Sequence, residues 1–200
     1  MTSRRKIIPV FLILPVFVCS CSKKDGLVTD DSRTSSKGKP VEYLIRKGGH
    51  YADQTSFQVV DYDTLKFTAV FDSSAVYQTI NPENQEDINK LYGFSDNNDN
   101  HQEFSARFGW NWTRGALRLY AYVYNDGKRE SREITSIDIG AEYTCSIVVA
   151  GGQYIFSVKG ITVEMPRESK TPEGLGYKLF PYFGGDETAP HDIRIWIQEL

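Results

Sequence analysis

Residues 101–124 read HQEFSARFGWNWTRGALRLYAYVY, and the spacing of their apolar side chains decides the fold. Phe104, Ala106, Phe108, Trp110 and Trp112 recur at every second position, with Glu103, Ser105, Arg107, Gly109 and Asn111 between them. A strand points alternate side chains to opposite faces, so this period predicts an antiparallel strand buried on one side. The second run repeats the pattern, with Leu117, Leu119, Ala121 and Val123 alternating with Arg118, Tyr120, Tyr122 and Tyr124. Thr113-Arg114-Gly115 turns one run into the other. The apolar sets then make core. The opposite sides bring Glu103, Arg107, Arg118, Tyr120 and Tyr122 onto one face, which is the candidate ligand-binding surface.

Working outward, the same signals recur on both sides of this pair. Asn125-Asp126-Gly127 is a hairpin signal, followed by strands over 129–139, 143–150 and 153–159, the last two joined by Gly151-Gly152. Lys159-Gly160 turns into 161–165, and 177–183 and 192–200 complete the chain. Upstream, strands are expected at 42–46, 57–60, 64–71 and 92–95. NPENQEDINK (81–90) is the one helical signal, with Asn81 as N-cap, Pro82 at the first helical position and Glu83 and Glu86 near the positive end of the dipole. About eleven short strands, one short helix and no internal repeat predict an all-β sandwich or barrel.

The N-terminus carries a different message. Arg4, Arg5 and Lys6 precede an apolar stretch at 7–18 that is short for a membrane span and is interrupted by Pro9 and Pro15. It ends in Val18-Cys19-Ser20-Cys21, which resembles a lipobox and implies cleavage before an acylated Cys21. Residues 1–20 are thus expected to be a lipoprotein signal peptide. Residues 21–40 are poor in apolar side chains and rich in Ser, Lys, Asp and Gly, and are expected to be a flexible tether to a domain at 41–200. The implied location is exported and membrane-anchored by lipid alone, on a periplasmic or cell-surface face. With Cys19 removed and Cys21 acylated, Cys145 stands alone; it shares a strand face with Tyr143, Ile147 and Val149 and is read as a small core residue.

Hydrophobic residues make up 40% of the 200-residue chain and aromatics 13%, enough for one ordinary core. A net charge of −3 speaks against nucleic acid as a partner.

YIFSVKGITVEM (154–165) resembles the hairpin of concanavalin A-like, laminin-G-like jelly rolls. LYGFSD (91–96), SARFGW (105–110), LYAY (119–122) and PYFGGDETAPHDIRIWI (181–197) resemble an uncharacterised group of Bacteroidetes-type lipoproteins. The resemblance covers nearly all of 41–200. It implies an antiparallel jelly-roll β-sandwich and transfers no activity.

Three chemistries are weighed on this frame. In the first, which is the expected function with the other two as alternatives, the tyrosines stack on sugar rings while Glu103, Arg107 and Arg118 bond hydroxyls or pair with uronates, giving a non-catalytic binding surface for a carbohydrate or acidic polysaccharide. In the second, the domain is a polysaccharide lyase. QEFSAR (102–107) and YFGG (182–185) resemble parts of the alginate-lyase motifs, although the lysine and the Gln-x-His strand of that pattern are missing. Tyr182, His101 or His191, and Arg107 then supply acid, base and charge neutralisation. A glycoside hydrolase is disfavoured, because no strand carries two acids two or four residues apart. In the third, an exposed sheet edge makes the chain a structural subunit of a surface assembly. No cofactor and no metal site are expected. The stretches closest to a structural calcium site are Asp96 with Asn98, and Asp186 with Asp192, both more typical of plain turns.

Overall fold

The computed structural model describes residues 39–200. The expected signal peptide at 1–20, Cys21 and all but the last two residues of the expected tether lie outside the described residues.

Twelve strands follow in order: β1 (Val41–Ile45), β2 (Val59–Tyr62), β3 (Thr64–Phe71), β4 (Asn89–Ser95), β5 (Ser105–Thr113) and β6 (Ala116–Asn125), then β7 (Lys128–Ile137), β8 (Glu142–Ala150), β9 (Gln153–Val158), β10 (Ile161–Pro166), β11 (Gly174–Leu179) and β12 (Ile193–Glu199). They form two six-stranded sheets, ordered β1-β12-β3-β8-β9-β10 and β2-β11-β4-β5-β6-β7, with every pairing antiparallel. This is the expected jelly-roll sandwich.

The core lies between the sheets and is bolted by aromatic contacts. Phe67 meets Phe108 edge-on at 5.7 Å, Phe71 meets Trp110 at 5.3 Å, and Phe156 meets Phe108 at 5.3 Å. Trp110 is fully buried, as the alternation requires. The register follows from four two-residue hairpin turns, Arg114-Gly115, Asp126-Gly127, Gly151-Gly152 and Lys159-Gly160. Both central residues of each have positive φ, the backbone twist that matches the strands on either side. Cys145 is buried in the core, and burial pushes its thiol up to about 12.

Three elements differ from expectation. The helical signal at 81–90 yields only a 3-10 turn, Pro82–Glu86, a separate 3-10 turn stands at Ser73–Ala75, and β4 begins already at Asn89. Asn81 does cap the turn at Pro82–Glu86, its side chain accepting from the Glu83 N–H. β11 starts at Gly174 rather than 177 and stops before Pro181. Gly174 and Gly176 carry no apolar period to read. They are needed because a Cβ on either would collide with Phe94 or Ser95. Proline ends the ladder by lacking an N–H.

Candidate functional site

The outer face of the β2-β11-β4-β5-β6-β7 sheet holds a cleft of about 390 Å³. One row of paired residues crosses its floor: Leu179 opposite Gly93, Gly93 opposite Arg107, Arg107 opposite Tyr122, and Tyr122 opposite Ser131. A side chain at Gly93 would run into Arg107 and the Ala106 carbonyl, so glycine there lets the arginine lie flat against the sheet.

Arg107 is the central feature. It is only 7% exposed, its Nε is buried without a hydrogen-bond partner, and it forms no ion pair among the described residues. Its guanidinium carbon lies 5.4 Å from the centroid of the Tyr122 ring. Burial lowers its pKa from the ordinary value. Lys90 approaches the same ring at 4.8 Å and donates to the Ile88 carbonyl at 2.6 Å. Burial, and then the nearby Arg107 charge, lower Lys90 to about 8. Arg129 and Tyr124 line the cleft towards β7, and Lys178 lines it from β11, already paired with Glu199 at 2.7 Å.

The walls bring in acid–base groups. His101, on the turn between β4 and β5, has its backbone N–H on the Tyr177 hydroxyl at 3.1 Å and its Nδ1 2.9 Å from the same oxygen. Burial, then Arg107, lower the His101 pKa, which favours the neutral ring. Tyr182 stands opposite, pinned by reciprocal backbone bonds with Lys90 (2.8 and 3.0 Å) and stacked on His50 at 5.3 Å. His50 in turn donates from Nδ1 to the Phe183 carbonyl at 2.8 Å, so it orients Tyr182. Desolvation, then Tyr51, raise the Tyr182 phenol, with Arg107 opposing them. Among the described residues lining the cleft there is no Asp or Glu.

The sequence-predicted face therefore divides. Arg107 and Tyr122 share the cleft, together with His101 and Tyr182. Tyr120 lies farther along β6, largely buried, with its hydroxyl donating to Asn111 Oδ1 at 3.1 Å, so its ring is not open for stacking. Arg118 lies outside the cleft near the hairpin end, held by Glu133 at 2.7 Å. Glu103 is not on the strand. The Asn100 carbonyl accepts from the N–H groups of Glu103 and Phe104 (2.9 and 3.0 Å), a tight turn that delays β5 to Ser105 and leaves Glu103 exposed on the loop. His191 is also elsewhere, donating from Nε2 to the Ser74 carbonyl at 2.8 Å.

The calcium-like stretches are occupied by structural bonds. Asp96 is fully buried and takes Arg167 at 2.7 Å, the Tyr154 hydroxyl at 2.5 Å, the Thr171 hydroxyl at 3.1 Å and the N–H groups of Asn97 and Leu175. Burial alone would raise its carboxyl, but the bonds from Arg167 and Tyr154 outweigh that and hold it below the usual value. Asn98 donates its N–H to the Leu175 carbonyl. Asp192 accepts from the Lys47 N–H at 2.9 Å, and Asp186 lies exposed. Among the described residues no three His, Cys, Asp or Glu side chains converge.

Sequence pattern does not single out Lys90 and Arg129 as site residues, whereas Tyr124 shares the alternating face of Tyr122. Lys90 sits inside the stretch that reads as helix. Arg129 is the second residue of β7, and its register opposite Tyr124 is the one clue to its place.

The chain matches no family model and no curated protein. Among solved structures it is similar to the alginate lyase AlyC3, at 11% identity and a TM-score of 0.51 over 79% of this chain and 72% of that one. It is equally similar to the laminarinase catalytic domain from Thermotoga maritima, at 11% identity and a TM-score of 0.51 over 80% and 76%. At that identity the likeness establishes the jelly-roll sandwich and nothing finer.

Proposed function

We propose that the cleft binds a uronate-bearing polysaccharide and cleaves it by β-elimination. The observation that carries this reading is Arg107: a buried guanidinium with a free Nε, facing a cleft lined, among the described residues, by two further cations without an ion pair, Lys90 and Arg129, and by no carboxylate. An unpaired buried charge is costly unless a ligand supplies its partner. A sugar carboxylate fits, since a guanidinium binds carboxylates through paired N–H donors. The same charge inventory argues against glycoside hydrolysis, which needs two carboxyl groups flanking the bond.

Arg107 neutralises the uronate carboxylate and so acidifies the hydrogen on the adjacent ring carbon. Neutral His101 removes that proton. When the Tyr177 oxygen accepts from Nδ1–H, the free lone pair is on Nε2. The electrons form a carbon–carbon double bond as the glycosidic carbon–oxygen bond breaks, and the Tyr182 hydroxyl donates its proton to the leaving oxygen. Lysine and tyrosine side chains complete a pocket for the ring, with Tyr122 under the cations. The alginate lyase among the structural neighbours is consistent with this chemistry, and the laminarinase with a role on polysaccharides more broadly.

Non-catalytic binding uses the same cations and rests on an open aromatic platform. Tyr120 and Tyr122, the residues expected to stack on sugar, are both buried, the second beneath Lys90 and Arg107; this and the gathering of Arg107, His101 and Tyr182 in one cleft favour the enzyme. The test is to incubate the purified protein with uronate polymers and with a neutral glucan, and to follow the ultraviolet absorbance of the unsaturated product. Absorbance from uronate polymers alone, lost in Tyr182→Phe and Arg107→Met, supports the reading. Binding without new absorbance refutes catalysis and leaves a binding module.

The proposed setting is the exported, lipid-anchored one implied by the Cys21 motif and by the Bacteroidetes-type lipoprotein resemblance. Mass spectrometry of the membrane fraction should find an acylated N-terminal Cys21, and Cys21→Ala should release the protein. A mature N-terminus elsewhere refutes it.

A further inference from the structure

Residues 51–59 lead from β1 into the first residue of the edge strand β2, reach the cleft at Tyr51 and Thr55, and carry an unusual load of exposed apolar side chains. Tyr51 is 76% exposed, Phe57 78% and Val59 70%. Single exposed hydrophobes are ordinary, but three in nine residues at one edge are a patch.

The patch is continuous with the cleft walls. Tyr51 lines the cleft, and its ring meets Tyr182 edge-on at 4.9 Å. Thr55 lines it as well. Phe57 packs at 5.6 Å against Tyr177, the residue whose hydroxyl holds His101. The backbone there is specifically shaped: Gln54 has a φ of 65°, an uncommon conformation for a residue with a side chain. Between the apolar residues stand Gln54, Thr55, Ser56 and Gln58, short of charge and rich in hydrogen-bonding groups. The one acid, Asp53, is paired with Arg46 at 2.8 Å.

We infer that this strip is an outer sugar-binding subsite, on which the polysaccharide chain leaving the cleft lays the apolar face of a ring against Phe57. The inference rests on the polysaccharide reading of the cleft and adds the direction of the polymer. The chain runs across the strands, from Arg129 at the β7 side to the aromatic edge beside β2. Aromatic faces with uncharged hydrogen-bonding neighbours suit a pyranose, which presents C–H groups on one face and hydroxyls around its rim. A strip of nine residues is well short of the roughly 20–30 residues a stable protein interface takes from each partner, which favours a sugar over a second copy of the chain.

The test measures affinity of the full protein for uronate oligosaccharides of graded length, with wild type, Phe57→Ala and Phe57→Trp. In wild type and Phe57→Trp, affinity should rise once an oligomer is long enough to leave the cleft. Phe57→Ala should lose about three- to ten-fold for the long oligomers only, the size of one aromatic face contact. Short oligomers should bind all three proteins alike. A length dependence that persists in Phe57→Ala overturns the subsite and leaves the cleft reading intact. Failure of every oligomer to bind wild type overturns both. A wild-type dimer that Phe57→Ala converts to monomer also overturns the subsite, because the patch is then an interface.

Discussion

Arg107→Met should abolish function while making the fold more stable. In the unliganded protein the buried Nε has no partner, and an unpaired buried donor costs about 1–3 kcal/mol. Its contact with the Tyr122 ring at 5.4 Å offsets part of this, about 0.5–2 kcal/mol for a desolvated cation over an aromatic face. Methionine keeps the apolar stem against the sheet and removes the charge. The difference is a gain of about 1 kcal/mol, or about 2–4 °C in Tm for a domain of this size. Thermal unfolding without ligand measures it, and adding uronate oligomer gives the complementary arm, since the ligand should raise the Tm of wild type and leave the variant unmoved. A loss of more than about 1 kcal/mol on Arg107→Met would refute the reasoning. The guanidinium would then have a protein partner, and its role would be structural. The expected pattern is that of a functional site maintained at some cost in stability.

Two further outcomes follow from the charges. Lys90 falls from 10.5 to about 8 in the folded protein, so the unfolded chain binds more protons between those values and stability should rise with pH across that window. Lys90→Met should flatten this part of the stability–pH curve, and in wild type the affinity for uronate oligomers should weaken as pH passes about 8. Arg167→Ala should destabilise by about 3–5 kcal/mol in denaturant unfolding, because it leaves Asp96 charged and buried among the remaining donors. Asp96 is held below 3.8, so its paired carboxylate contributes fully above that pH, and the gap between wild type and variant should close as pH falls through the folded value. A gap that stays constant into strong acid would count against the ion pair.

Local pattern made the sandwich legible. The alternation at 104–112 and 117–124 assigns all but the end residues of β5 and β6 to a face, because strand period is a property of adjacent residues alone. The turns read at 113–115 and 125–127, which the structure tightens to Arg114-Gly115 and Asp126-Gly127, then set the register, which places Arg107 directly opposite Tyr122. Both signals are local and can be read along the chain itself. What the pattern could not supply is the depth of that face. Tyr120 and Tyr122 have the same parity and both are buried, yet Tyr120 is bonded to Asn111 outside the cleft while Tyr122 lies beneath Lys90 and Arg107 on its floor. The difference is made by the loops and strands that pack over each position, and these are distant in sequence. Lys90 comes to Arg107 through the β4–β5 pairing. Tyr182 comes through its backbone bonds to Lys90, and His101 through the Tyr177 hydroxyl on β11. A cleft whose charge is unbalanced is a sum over such long-range neighbours. Residue order along the chain therefore dictated the sheets, while tertiary packing decided which of their polar side chains are buried together without a counter-ion.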